Sequence, residues 1–60
     1  MARPKDVQDY VDKIEEMLLD ERYEFAEDFL SSVLSFAKET DYISDAQKQG
    51  VDNIKSSVTW

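Results

Sequence analysis

The sequence has no cysteine and no histidine. Without cysteine, no disulfide can staple the fold. Without either residue, the usual nitrogen and sulfur ligands of zinc are missing. Proton transfer near neutral pH commonly relies on histidine, so general acid–base catalysis lacks its usual agent. One glycine and one proline are too few for a β-rich fold with many tight turns. No apolar run approaches the ~20 residues that a membrane span requires. The first residues, Met-Ala-Arg-Pro-Lys-Asp, lack the apolar core of a signal peptide. These absences predict a non-enzymatic protein without metal or cofactor, in the cytoplasm.

Sixty residues make one small domain, residues 1–60. A domain of this size buries only ~60% of its unfolded surface, so its stability is expected to be marginal. Such domains gain stability by oligomerising or by binding a partner. Apolar residues make up 42% of the chain, and seven are aromatic. That content predicts a folded core despite a net charge of −7.

The charge is uneven. Between Asp6 and Asp28 lie ten acids, opposed only by Lys13 and Arg22, which gives that span −8. The rest of the chain holds five bases and four acids, or +1. A negative surface repels nucleic acid and anionic membrane, both of which need positive charge. A basic protein surface is the complementary partner.

Apolar spacing predicts three helices in an all-α, compact three-helix bundle, at about 5–19, 21–39 and 45–57. In the first, Val7, Tyr10, Val11, Ile14, Met17 and Leu18 share one side, and Asp6, Asp9, Asp12, Glu16 and Asp20 lie opposite. Pro4 suits the first turn, and the early aspartates suit the positive end of the helix dipole. The apolar stripe changes phase around Asp20–Arg22, which predicts a break with Asp20 as the next N-cap; one long kinked helix is the alternative. The second helix has an apolar half that includes Tyr23, Phe25, Ala26, Phe29, Leu30, Val33 and Phe36. This width predicts a central helix packed by both others, and a homodimer could use the excess. Tyr10, Phe25, Phe29 and Phe36 are expected in the core. Ser44-Asp45-Ala46-Gln47 reads as a capping box opening the third helix. That helix has a thin apolar face, and Gly50 within it costs roughly 1 kcal/mol relative to Ala. Trp60 either folds back onto the bundle or serves as a partner contact.

Little in the chain could carry chemistry. Ser31, Ser32 and Ser35 sit on or beside a polar helix face with no base in view, and read as solvated serines. No glycine-rich phosphate loop is present. Glu24 and Asp28, four apart, could touch a hard cation, but a dedicated calcium loop needs a denser oxygen array. A helix-turn-helix would place Gln47, Lys48, Gln49, Asn53 and Lys55 on its recognition helix. Asp45 and Asp52 share that helix, and the net charge opposes phosphate contacts.

The acids say more. Carboxylates four residues apart lie about 6 Å apart along a helix, a separation similar to that of neighbouring phosphates on one DNA strand. Asp9, Asp12, Glu16, Asp20, Glu24, Glu27 and Asp28 are therefore the expected partner-binding residues, able to occupy a basic groove meant for nucleic acid. The alternative is that these acids only keep a small protein in solution, leaving the apolar face of the second helix to drive self-association or docking.

Tyr23-Glu24-Phe25-Ala26-Glu27-Asp28-Phe29-Leu30, Ile43-Ser44-Asp45-Ala46-Gln47 and Val51-Asp52-Asn53-Ile54 resemble a pattern of small phage-borne and bacterial helical proteins. There an aromatic-Ala helix is followed by Ile-Ser/Thr-x-x-Gln and Val-x-Asn-Ile. The likeness spans Met17 to Ile54, with Phe25 where Trp is common. It implies a phage or mobile-element origin and a bacterial host, and it assigns no functional residue. Small acidic phage proteins often inhibit host enzymes that process nucleic acid, some by imitating DNA.

Overall fold

Val7, Val11, Ile14 and Met17 recur every three or four residues. In the computed structural model, which describes residues 3–58, they form the buried stripe of α1, Lys5–Leu18. Pro4 stands at the N-cap, and its carbonyl accepts from the Gln8 N–H at 3.0 Å. The helix tightens as it ends. The Leu19 and Asp20 N–H groups donate to the Glu16 and Met17 carbonyls, at 3.1 and 3.0 Å. Asp20 is then extended (φ −103°, ψ 121°), and its Oδ1 accepts the Arg22 N–H at 2.9 Å. The break and the Asp20 cap therefore fall where the phase shift of the apolar stripe places them.

The span 21–39, expected as one helix, is two elements. Glu21–Ala26 winds as a 3₁₀ helix, and α2 runs from Glu27 to Thr40. Three residues per turn align positions i and i+3, which brings Tyr23 and Ala26 to the same buried side. Phe25, between them in sequence, is thereby turned outward and is 68% exposed. In α2 the core is reached by Leu30, Val33 and Ala37. Phe29 and Phe36 lie on the flank of that stripe, each 40% exposed. The three phenylalanines expected in the core are thus largely at the surface, and Tyr10 is half-buried. The core is mostly aliphatic, with Tyr23 its one buried aromatic among the described residues: Val11, Ile14, Leu30, Ala37 and Val51 are at most 1% exposed. Burying each Val, Leu or Ile side chain contributes about 1.5–3 kcal/mol.

The α2 helix ends at Asp41, whose backbone is left-handed (φ 55°, ψ 34°) and whose N–H donates to the Ala37 carbonyl at 2.8 Å. Aspartate tolerates this conformation better than most side chains. Ile43 is buried after the turn. The expected capping box then forms: Gln47 N–H donates to Ser44 Oγ at 3.1 Å, and Ser44 N–H donates to Gln47 Oε1 at 2.9 Å. It opens α3, Asp45–Ser57.

The molecule is a three-helix bundle with no strand among the described residues. Its radius of gyration, 10.9 Å, is near the ~10 Å expected of a compact chain this long. The central helix is α1, not α2: the backbones of α2 and α3 each come near α1 at more points than they come near each other. Between α2 and α3 the contact runs through a ring. Phe29 lies over Gly50, with its Cζ 2.7 Å from where a β-carbon on Gly50 would sit. The lone glycine costs helix propensity but leaves room for this ring. Among the described residues no helix is long and apolar enough to cross a membrane. Trp60 lies outside the described residues.

Candidate functional site

The two flanks of α1 are stitched to its neighbours by ions. Toward α3, Lys48 Nζ reaches Asp6 Oδ2 at 2.9 Å. One turn on, Tyr10 O–H donates to Asp52 Oδ2 at 2.8 Å and Lys13 Nζ to Asp52 Oδ1 at 3.3 Å. The same ammonium stands 4.4 Å from the centre of the Tyr10 ring, a cation–π contact. Toward α2, Lys38 Nζ pairs with Glu15 Oε2 at 2.9 Å. These contacts move titrations in consistent directions. The Lys48 hydrogen bond holds Asp6 below the usual carboxylate range, and Asp6 raises Lys48 in return. The Tyr10 hydrogen bond, and then Lys13, lower Asp52, while Asp52 raises the Tyr10 phenol.

Between these flanks runs the outer face of α1. Asp9, Asp12 and Glu16 keep the three-and-four spacing on the side opposite Val11 and Ile14, and all three are exposed. Among the described residues no base pairs with any of them; Asp12 Oδ1 accepts only from the neutral Gln8 amide, at 2.8 Å.

Asp20 has a different position. It is half-buried at the end of α1, caps the 3₁₀ helix and grips Arg22 through both carboxylate oxygens, the shortest contact being Nη2 to Oδ2 at 2.7 Å. The Arg22 hydrogen bonds hold Asp20 below its ordinary value, and Asp20 pushes Arg22 up. This acid is structural, and its charge is already matched. It also divides the surface. On one side Asp20, Glu21, Glu24 and Glu27 rim a groove of about 200 Å³ over Leu18 and Leu19. On the other side Glu16 and Asp20 share a groove of about 230 Å³ with Lys13, Arg22 and Lys55. The acids are neither one straight row nor scattered. Asp9, Asp12 and Glu16 form one group, and Glu24 and Glu27 a second at the helix-turn end. Asp28 projects from the side of α2 opposite Leu30, and is exposed like Glu24 and Glu27.

Sequence spacing alone did not show Lys55 joining the mixed groove, because that depends on how α3 crosses α1. It also missed the exposed apolar set of Leu19 (87%), Phe25 and Tyr42 (56%). A three-residue spacing such as Tyr23 to Ala26 fits an α-helix as well as a 3₁₀ helix, so spacing held no signal that Phe25 faces out. Ser31, Ser32 and Ser35 are exposed on α2. Among the described residues no group of three or more acids is placed to hold a metal ion. No family model, curated protein or solved structure matches the chain.

Proposed function

We propose that this is a small non-enzymatic binding protein, of phage or related origin in a bacterial cell, that modulates a nucleic-acid-processing protein by covering a basic surface of it. The observation that carries the reading is the contrast along α1. Asp6 and Glu15, on its flanks, each pair with a lysine of a neighbouring helix, whereas among the described residues no base pairs with Asp9, Asp12 or Glu16 on its outer face, although Glu16 lines the mixed groove with Lys13, Arg22 and Lys55. A rigid helix holds these charges at fixed spacing, so little ordering cost remains on binding. Opposite charge on a partner would then raise the association rate and select against acidic competitors. Glu24, Glu27 and Asp28, on the 3₁₀ helix and α2, form a separate acidic group beyond the break at Asp20.

The test is capture from a bacterial lysate by the tagged protein, compared with a variant carrying Asp12→Lys, Glu16→Lys and Glu24→Lys. The expected result is a captured nucleic-acid-binding protein that elutes as salt rises and is lost in the variant. Capture that is indifferent to salt and to the reversal would reject the reading. A second reading starts from the exposed Phe25, Phe29 and Phe36: the chain self-associates through them and its acids only solubilise. Sedimentation over a range of concentrations separates the two, since self-association makes the apparent mass rise with concentration.

A further inference from the structure

Phe29, Ser32 and Phe36 are spaced three and four residues apart and so occupy one flank of α2, and Phe25, turned outward by the 3₁₀ helix, precedes them at the surface. Tyr42 extends the row, its ring edge-on to Phe36 with centroids 6.4 Å apart. Across the seam, Ala46, Gly50, Asn53 and Ser57 of α3 repeat the same spacing, and Gly50 touches Phe29. The result is an exposed strip of aromatic and small uncharged groups. It lies away from Asp9, Asp12 and Glu16 on the outer face of α1, and shares only Glu24 and Asp28 with the acids of the proposed partner surface.

We propose that this strip docks one amphipathic helix of a partner protein, with an apolar ridge seated on Phe25, Phe29 and Phe36 and basic residues along its edges. Two observations choose this occupant over a second copy. The first is area. Exposed fractions of 68%, 40%, 40% and 56% for Phe25, Phe29, Phe36 and Tyr42, taken on side chains of about 200 Å², sum to roughly 400 Å². A stable dimer needs about 800 Å² from each partner, about twice what these four side chains expose, whereas spacing of three and four residues along one helix suits the i, i+3, i+4 and i+7 anchors of a helix in a groove. The second is charge. The strip is edged along α2 by Glu24, Asp28 and Glu39, and the one base in that stretch, Lys38, is held by Glu15 on the other seam. At the Tyr42 end, Arg3 and Lys48 are engaged by Asp41 and Asp6. A second copy would bring more acids to this edge, whereas a lysine- or arginine-edged helix brings the complement.

The experiment titrates isotope-labelled protein, followed by NMR, with a synthetic helix of about four turns carrying leucines spaced four, three and four apart and lysine on both edges. The same helix with glutamate edges is the control. The expected result is that the lysine-edged peptide shifts the amides of Phe25, Phe29, Phe36 and Gly50, while the glutamate-edged peptide does not. Phe25→Ser should weaken binding about tenfold and, because Phe25 is mostly exposed, leave the fold intact; Phe36→Ser is the second variant. No shift at the strip, shifts confined to α1, equal binding of both peptides, or the same shifts from raising protein concentration alone would each overturn the proposal.

Discussion

The seams that α1 makes with its neighbours hold three ion pairs, Asp6–Lys48, Lys13–Asp52 and Glu15–Lys38. Along the seam between α2 and α3, Phe29 leans on Gly50 and the residues at matching spacing carry no charge. The difference shows how a small chain divides its residues. Charges at a seam set which helix meets which and in what register, at modest net energy because each pair is exposed. An uncharged seam sets no such preference and leaves its aromatic edge open to another molecule. The core beneath both is shared, and that is where most of the stability lies.

The largest effect should come from that core. Leu30→Ala removes a fully buried side chain and is expected to cost about 3 kcal/mol. That is a large part of the stability of so small a domain, and should appear as a much lower urea midpoint. Next is the attachment of α3. Ser44→Ala deletes one half of the capping box and should cost about 1 kcal/mol by the same measurement, with the amides of α3 losing hydrogen-exchange protection first. A smaller change probes the uncharged seam itself. Gly50→Ala gains up to about 1 kcal/mol of helix propensity but drives into the Phe29 ring. The gain should therefore be full only in a Phe29→Ala background and reduced or reversed with Phe29 present. Equal effects in both backgrounds would mean that the ring does not depend on the glycine.

The charged seam should show itself through pH. Asp6 and Asp52 have depressed carboxyl titrations in the fold. Their contribution to stability is thus fully present above the ordinary carboxylate value of about 3.9 and is lost as pH falls through the lower folded values. Tyr10 has the opposite sign: its phenol is raised by Asp52, so its contribution holds below about pH 10 and is lost as pH climbs through the higher folded value. Asp52→Asn should bring the Tyr10 titration, followed by ultraviolet absorbance, back toward its ordinary value and flatten the acid limb of the stability curve. An unmoved Tyr10 would mean that the 2.8 Å bond does not persist in solution.

Spacing rules made α1, the break at Asp20 and the Ser44–Gln47 box legible in the sequence, because each is a local pattern with a local cause. The split of 21–39 was not legible in the same way. Tyr23 and Ala26 satisfy a 3₁₀ period only because α1 offers them a buried side, and that is a tertiary fact. The misplaced phenylalanines have the same origin, since a hydrophobic side chain beside a stripe counts as core until the width of the facing helix is known. Here α3 presents Gly50, Asn53 and Ser57, too little bulk to cover them. For the acids, spacing marked the outward set on α1 but put Asp20 in the same role, although it serves as a cap and as a partner of Arg22.

The acids of α1 differ in what they engage: Asp6 and Glu15 each pair with a lysine of a neighbouring helix, whereas among the described residues no base pairs with Asp9, Asp12 or Glu16. Urea unfolding of the triple variant Asp9→Asn, Asp12→Asn, Glu16→Gln, beside wild type at neutral pH and low salt, probes that division without an intermediary. An unchanged or higher midpoint is expected, because neutralising unmatched like charges relieves repulsion. A midpoint lowered by an amount equal to the loss of a cap or an ion-paired network would mean that these acids hold the fold together, and the division would be refuted.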